Sequence, residues 1–447
     1  MTDEVTKHLR RNFYLGVCNG VIFMAGSTLL NPATILPQFL GTIFESKAAI
    51  GLGAYLLSMG WSMPQVVTAY FARALPYRKP LYIWANASRM FLIGAFLVGF
   101  LVWKDSKATV GLLYFVFLSI AGLAAGAAGL TYQDIVARTI PANRRGAYTA
   151  YRILGGQGLL ALASGFFTKY VLEHPAAFPY PYNYLTIFAL SWAMMTIGVV
   201  AFSFVKEPPD RAPRSLPRPG AYMLEMYLVI KNNHNYRRFL YQKLLRAFEM
   251  FAAPYYVIYA TRRLGLPESV AATFLVVAVV TTAVVPLWWG RISDRRGNRS
   301  VIFLSSVVSA TVPFVALALI AAAGLGAFER PTVSLASFGS DRTLAVETLV
   351  TLLMAPLFVL MAIANAGSQI GFANYIMDTA PARRRPVYLG LTTTIDGLFT
   401  VIFPAAGGLI IDLSHYWVAF LAAGIAVGFS AVLSLTLDEP RPEARAA

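Results

Sequence analysis

Gly290-Arg291-Ile292-Ser293-Asp294-Arg295-Arg296-Gly297-Asn298-Arg299 is a short, densely cationic stretch with one carboxylate and two glycines. Apolar sequence flanks it on both sides, at roughly 268–290 and 300–323. Each flank is long enough to cross a bilayer, which takes about 20 apolar residues as a helix. So short a connection makes the two predicted helices antiparallel neighbours. Its arginines mark the cytoplasmic side, because short cytoplasmic loops carry the excess of Lys and Arg.

Composition agrees with a membrane class. The chain of 447 residues is 57% hydrophobic and 13% charged, with a mean hydropathy of +0.60, unlike a soluble domain. A net charge of +16 in a soluble protein would suggest nucleic acid. Here most Lys and Arg fall in alternate loops, so the charge expresses topology and attraction to anionic headgroups, and no nucleic-acid partner is expected. Cys18 is the single cysteine and lies inside the first apolar stretch, which excludes an intrachain disulfide. The polar start MTDEVTKHLRRN precedes a stretch too long for a signal-peptide core, which reads as a retained helix.

Twelve spans are predicted, at roughly 13–39, 48–70, 80–103, 109–136, 147–172, 183–205, 240–262, 268–290, 300–323, 344–377, 386–411 and 416–436. An even count, with Lys7, Arg10 and Arg11 at the start, places both termini in the cytoplasm of a multi-pass plasma-membrane protein. The clusters Arg73/Arg78/Lys79, Arg138/Arg144/Arg145, Arg291/Arg295/Arg296/Arg299 and Arg383/Arg384/Arg385 then share one side. The expected domains are a six-helix bundle over 1–205, a cytoplasmic linker over 206–239 and a second six-helix bundle over 240–447. The linker opens with KEPPDRAPRSLPRPG, too rich in proline for a regular helix, and continues from Ala221 as an amphipathic surface helix.

The halves repeat. At an offset of 240 residues, YQDIVARTIPANRRGAYTAY (132–151) lies over FANYIMDTAPARRRPVYLGL (372–391), matching Thr139/Thr379, Pro141/Pro381, Arg144/Arg384, Arg145/Arg385 and Tyr148/Tyr388. At an offset of 220, the 69–81 loop lies over 289–301, with Ala74 in place of Asp294 and Tyr77 in place of Gly297, a degenerate copy.

The pattern G-x-x-x-D-R-x-G-x-R between two spans, within a six-plus-six repeat, resembles the signature loop of the major facilitator superfamily of secondary transporters. The resemblance covers essentially the whole chain. It implies an all-α integral membrane protein of two pseudo-symmetric six-helix bundles, with spans 1, 4, 7 and 10 lining a mid-membrane cavity that opens alternately to each side. It also implies that Gly290, Asp294, Arg295, Gly297 and Arg299 act as a gating latch. Physically, the glycines would permit a tight turn and close helix approach, and Asp294 would cap the next helix or accept bonds from arginines. Asp134 would pair similarly with Arg144 or Arg145. The competing reading is a solvated loop with no conformational role.

Ionisable residues within hydrocarbon are costly and therefore informative. Glu249 falls near the middle of span 7 and Asp396 near the middle of span 11. Arg246 precedes Glu249 by three residues on one helical face, so Glu249 reads evenly as a coupling group or a structural pair. A carboxylate in a low-dielectric cavity favours its protonated form. Asp396, with no basic neighbour on its own helix, is the better expected proton carrier. Arg152, in the cytoplasmic third of span 5, would attract an anion or snorkel to the headgroups, and Arg89 and Lys243 are read as nearer the span ends. Further candidates for substrate contact or interhelical bonding are Asn19, Asn31 and Gln38 on span 1, Gln157 on span 5, and Asn365, Gln369 and Asn374 on span 10. Pro32, Pro37, Pro254, Pro356 and Pro404 mark expected kinks.

No G-x-x-x-x-G-K-[ST] loop is present, the four histidines form no metal cluster, and no nucleophile–base pair stands out, so neither an enzyme nor a cofactor is expected. The expected function is secondary transport of a small solute by a monomer, coupled to protons or another ion. Few charges and many aromatics favour export of a neutral or lipophilic compound. The alternatives are uptake of a small polar nutrient, a lipid transporter or scramblase, and a non-transporting receptor.

Overall fold

Within hydrocarbon the backbone must satisfy its own hydrogen bonds, which selects helices. The computed structural model describes residues 3–62, 65–72, 75–209, 219–326, 332–334, 343–381 and 385–439. The first crossing is α1 (Asp3–Thr28) and α2 (Ile35–Ile43), broken between them just before Pro37. The second is α3 (Lys47–Ser62) and α4 (Gln65–Ala72), followed by α5 (Lys79–Val102) and α6 (Lys107–Thr139). The fifth joins α7 (Ala142–Arg152), a π-helical segment (Ile153–Leu160) and α8 (Ala161–Glu173), and α9 (Tyr182–Ser203) is the sixth. In the linker, α10 (Pro219–Asn232) exposes Met223, Leu224, Tyr227 and Leu228, as an interfacial helix does.

The seventh crossing is α11 (His234–Arg246), a 3₁₀ turn (Ala247–Phe251) and α12 (Tyr255–Arg262), with the break just before Pro254. The long α13 (Val270–Gly324) bends at Gly297 into crossings eight and nine. Then come α14 (Val346–Thr379), α15 (Arg385–Leu413) and α16 (Tyr416–Ser434). Pro356 and Pro404 lie inside α14 and α15, which continue through them. A short antiparallel pair, β1 (Thr332–Ser334) with β2 (Thr343–Ala345), joins crossings nine and ten and was not expected. Among the described residues seven helices are long and apolar enough to cross a membrane by themselves; breaks shorten the helices of three other crossings.

The chain divides into two compact units that do not coincide with the sequence halves. The first holds Met1–Asn31, Tyr55–Arg237 and Ala380–Ile402, and the second Pro32–Ala54, Arg238–Thr379 and Phe403–Ala447. In the first, Tyr82, Met90, Ile93, Met195, Val199 and Phe202 form a buried core. In the second, Trp289 is fully buried against Val301 and Ala366 and donates to the Ile363 carbonyl at 2.9 Å.

Three helix starts are capped by carboxylates from distant segments. In the first unit, Glu207 accepts from the Arg78 N–H at 2.9 Å and the Lys79 N–H at 2.8 Å, where α5 begins. In the second, Glu439 accepts from the Arg299 N–H at 3.0 Å, just past the α13 bend. Also in the second, Asp412 accepts from the Lys47 N–H at 2.9 Å, the Ala48 N–H at 3.1 Å and the Ser46 hydroxyl at 2.8 Å, where α3 begins. A helix start leaves N–H groups without intrahelical partners and carries partial positive charge, so a carboxylate there satisfies both. The same seam holds Gly41 and Phe44, whose carbonyls accept from Arg262, and Gln38, whose Oε1 accepts from Thr261 at 3.2 Å.

The loop residues take other partners than the sequence suggests. Among the described residues Asp134 binds Arg78 Nε at 2.9 Å and Arg138 at 3.0 Å, and not Arg144. Arg78 wins because it is buried beside Asp134, whereas Arg144 is exposed. The Arg145 side chain, Arg73, Ala74, Arg383 and Arg384 lie outside the described residues. Asp294 and Arg295 are exposed, and among the described residues Asp294 neither caps a helix nor binds an arginine. Asn298 takes the inward position, donating to Asp378 at 2.7 Å and accepting from Ser293 at 2.6 Å, while Arg299 also reaches the Leu437 carbonyl at 3.3 Å.

Gly297 sits at φ 79°, ψ 170°, a region that only glycine occupies without strain, and a Cβ there would strike the Glu439 carboxylate. Gly290 faces open space, so it mediates no close approach. Gly297→Ala is therefore expected to lower stability by about 1–3 kcal/mol, and Gly290→Ala to change it by less than about 0.5 kcal/mol. Thermal unfolding of the two purified variants checks the contrast. By the same readout, Asp412→Ala is expected to lose about 0.5–2 kcal/mol, as for other lost N-caps.

Candidate functional site

The first unit encloses a cavity of about 240 Å³. Its wall comes from one face each of α1, α5 and α6. Asn19, Phe23 and Ser27 recur every four residues on α1, and Tyr82, Asn86 and Arg89 follow helical spacing on α5. Tyr132 and Gln133 of α6 and Arg152 at the end of α7 complete the polar lining. Among the described residues no Asp or Glu lines it.

Arg89 is 7% exposed. It lies ten residues into α5, about 15 Å along the helix, and this depth replaces its expected place near a span end. Its guanidinium carbon stands 5.2 Å from the Phe23 ring centre, and an N–H points to Met195 Sδ at 4.0 Å. Arg152 stacks on Tyr132 at 4.6 Å and Tyr148 at 5.3 Å, and the two tyrosine hydroxyls bond at 2.7 Å. The Nε of each arginine is buried without a hydrogen-bond partner.

The local sequence explains why Arg152 points inward. Tyr148 and Arg152 share a face of α7 and pack against α1 at Gly16 and Gly20, where any Cβ would strike those two side chains. The π-helical segment begins directly after Arg152; such widened turns alter the direction of a helix face and often accompany functional sites.

A second buried constellation lies in the second unit. Glu249, in the 3₁₀ turn of crossing seven, accepts from Arg246 Nη1 and from the Ser309 hydroxyl at 2.7 Å. Arg246 is 4% exposed, and its Nε and Nη2 have no hydrogen-bond partner. The ion pair expected from the three-residue spacing is thus formed. Asp396 is half-buried on α15 in the first unit, so the structure does not bring it into one unit with Glu249.

The remaining candidates scatter. Asn31 is half-buried near the α1–α2 break, Gln157 half-buried in the π segment, Asn365 half-buried on α14, and Gln369 exposed. Of the sequence candidates Asn19 and Arg152 line the cavity. The reading missed Arg89, Tyr82 and Asn86. The signal was present as three polar-tipped residues at i, i+4 and i+7 on an otherwise apolar span. It also missed Glu207 and Glu439, each followed by proline just after crossings six and twelve.

The model of the Major Facilitator Superfamily matches residues 15–339 and 244–447. No protein of curated function matches in sequence. Among solved structures, a variant of the nucleoside transporter NupG is similar with a TM-score of 0.68 and 13% identity, over 96% of this chain and 98% of that one. A D-xylose–proton symporter gives 0.67 and 13%, over 97% and 99%. A bacterial homologue of the iron transporter ferroportin, in an inward-facing state, gives 0.59 and 14%, over 96% and 99%. These likenesses are of fold, and the proteins concerned are transporters rather than enzymes. The protein belongs to the Major Facilitator Superfamily of membrane transporters.

Proposed function

We propose that the protein is a proton-coupled carrier of a small solute, with Glu249 as the group that takes up and releases the proton. The observation that carries this reading is the pair of buried Arg246 with half-buried Glu249, joined by Ser309, at the 3₁₀ break of crossing seven. Removing one partner of a buried pair costs about 3–5 kcal/mol, because the other charge is left uncompensated. Protonating Glu249 has the same effect chemically: the carboxylate is neutralised and Arg246 loses its counter-charge. Arg246 must then find another acceptor, and its two unpartnered nitrogens leave it ready to do so. The break supplies the freedom to move, since a helix interrupted near Pro254 bends there more readily than a continuous one.

Proton coupling is a property of one structural neighbour, the D-xylose–proton symporter. Asp396 is the second candidate for the proton.

Reconstitution into proteoliposomes tests the proposal, using any solute that raises the melting temperature of the purified protein. Glu249→Gln is expected to lose pH-gradient-driven accumulation at least tenfold while retaining solute exchange. Intact accumulation in Glu249→Gln, with loss in Asp396→Asn, would move the coupling role to Asp396. Intact accumulation in both variants would overturn proton coupling through either group.

A further inference from the structure

We infer that the cavity of the first unit is an anion site, which receives the carboxylate of a small organic acid on Arg89 and Arg152 and its apolar body on Phe23, Met24 and Tyr132. This deepens the carrier reading, on which the transport of that acid rests; the binding itself does not depend on it.

The first observation is charge without a counter-charge. Two guanidiniums line one cavity that has no carboxylate in its wall. Tyr82 lies within electrostatic reach of both. A charged group at membrane depth ordinarily pairs or reaches the headgroups. Arg89 does neither: it is 7% exposed, about 15 Å along its helix, and its partners among the described residues are a thioether and an aromatic face. The buried Nε atoms of both arginines lack acceptors. A bound oxyanion supplies the missing charge.

The second observation is geometry. Phe23 lies under the Arg89 guanidinium, and Tyr132 and Tyr148 under that of Arg152. Stacking covers the faces of a guanidinium and leaves its N–H edge for acceptors. That edge matches the two oxygens of a carboxylate.

Size and wall chemistry narrow the class further. About 240 Å³ holds roughly eight waters at about 30 Å³ each, enough for one ring or a short alkyl chain but not for an acyl lipid. Phe23 and Met24 provide the apolar wall, while Asn86 and the Tyr82 hydroxyl offer hydrogen bonds at the rim of the charged end. The expectation of a neutral solute, which followed from counting few charges along the spans, gives way to an anionic one once Arg89 is seen to join Arg152.

Titration calorimetry on the full-length protein in neutral detergent tests the inference, with benzoate, hexanoate and phenyl phosphate against benzamide and hexanol. Benzoate or hexanoate is expected to bind, and its neutral isostere to bind at least tenfold more weakly. Arg89→Gln and Arg152→Gln are each expected to weaken the acid at least tenfold, while Arg89→Lys and Arg152→Lys lose less. Should the glutamine variants fail to fold, Gln133→Glu places a carboxylate in the wall at an exposed position. It is expected to weaken benzoate at least tenfold and to leave the neutral compounds unchanged.

Equal binding of acid and isostere, no binding of any acid, preference for phenyl phosphate alone, or binding indifferent to all these substitutions would overturn it. A response to phosphatidylglycerol in place of the free acids would do the same. Arg-dependent binding of benzoate without pH-gradient-driven flux would sink the carrier reading and keep this one. Proton-driven flux of a neutral solute without acid binding would do the reverse.

Discussion

Three helices of this protein begin on carboxylates borrowed from far along the chain, and the arrangement of both units rests on that interaction. A helix start presents several N–H groups that no residue of the same helix can satisfy, and at a membrane boundary leaving them bare is expensive. Glu207 serves α5 from the end of crossing six. Glu439 serves the second limb of α13 from the end of crossing twelve. Asp412 serves α3 from the end of crossing eleven. Each cap is also a tether, because it fixes the position of one crossing against another. The first two are related by the internal repeat. At the offset of 220 residues, Lys79 falls on Arg299, so the copy that looks degenerate in its loop keeps its capping geometry.

The same economy of charge sorts the deeper ionisable groups. Asp134 is balanced by Arg78 and Arg138, and Glu249 by Arg246 and Ser309. Arg89 and Arg152 have aromatic faces but no carboxylate in their cavity wall. Cation–π contact contributes about 0.5–2 kcal/mol, far short of compensating a full charge at membrane depth, for which insertion scales alone give about 2.5–3.5 kcal/mol. This imbalance distinguishes the cavity from the other polar clusters of the molecule.

Much of the fold was legible in the sequence because membrane helices must be long, apolar and flanked by charge of known sidedness. The Arg246–Glu249 pair was legible for a related reason: two charges three residues apart in one span have few other partners. What was hidden is tertiary. Nothing local to Arg78 or Arg299 says that a carboxylate 129 or 140 residues away will cap it; only the recurrence of Glu-Pro after crossings six and twelve hinted at it. Asp294 misled for the opposite reason. Its place in a recognisable loop suggested a bonded role, yet the buried polar position beside Gly297 belongs to Asn298. Arg89 was passed over because depth was judged from a span edge rather than from the face it shares with Tyr82 and Asn86.

The cavity and the Glu249 pair belong to different compact units, so coupling between them has to run through chain the units exchange. The first crossing provides such a route. Its α1 carries Asn19, Phe23 and Ser27 in the cavity wall. The chain then breaks between Thr28 and Ile35 and continues as α2 into the second unit. There Gln38 is held by Thr261, and Gly41 and Phe44 by Arg262. Thr261 and Arg262 end α12, the helix that follows the 3₁₀ turn of Glu249. On the proposed carrier reading, a shift of α1 on filling the cavity would reach α12 along the chain and these hydrogen bonds, and a change at Glu249 would act back by the same path. Such reciprocity is what linkage requires of two coupled binding events. The break in the first crossing is the element whose two arrangements would carry it, since a continuous helix would transmit only rigid motion while a hinged one can exchange one set of partners for another.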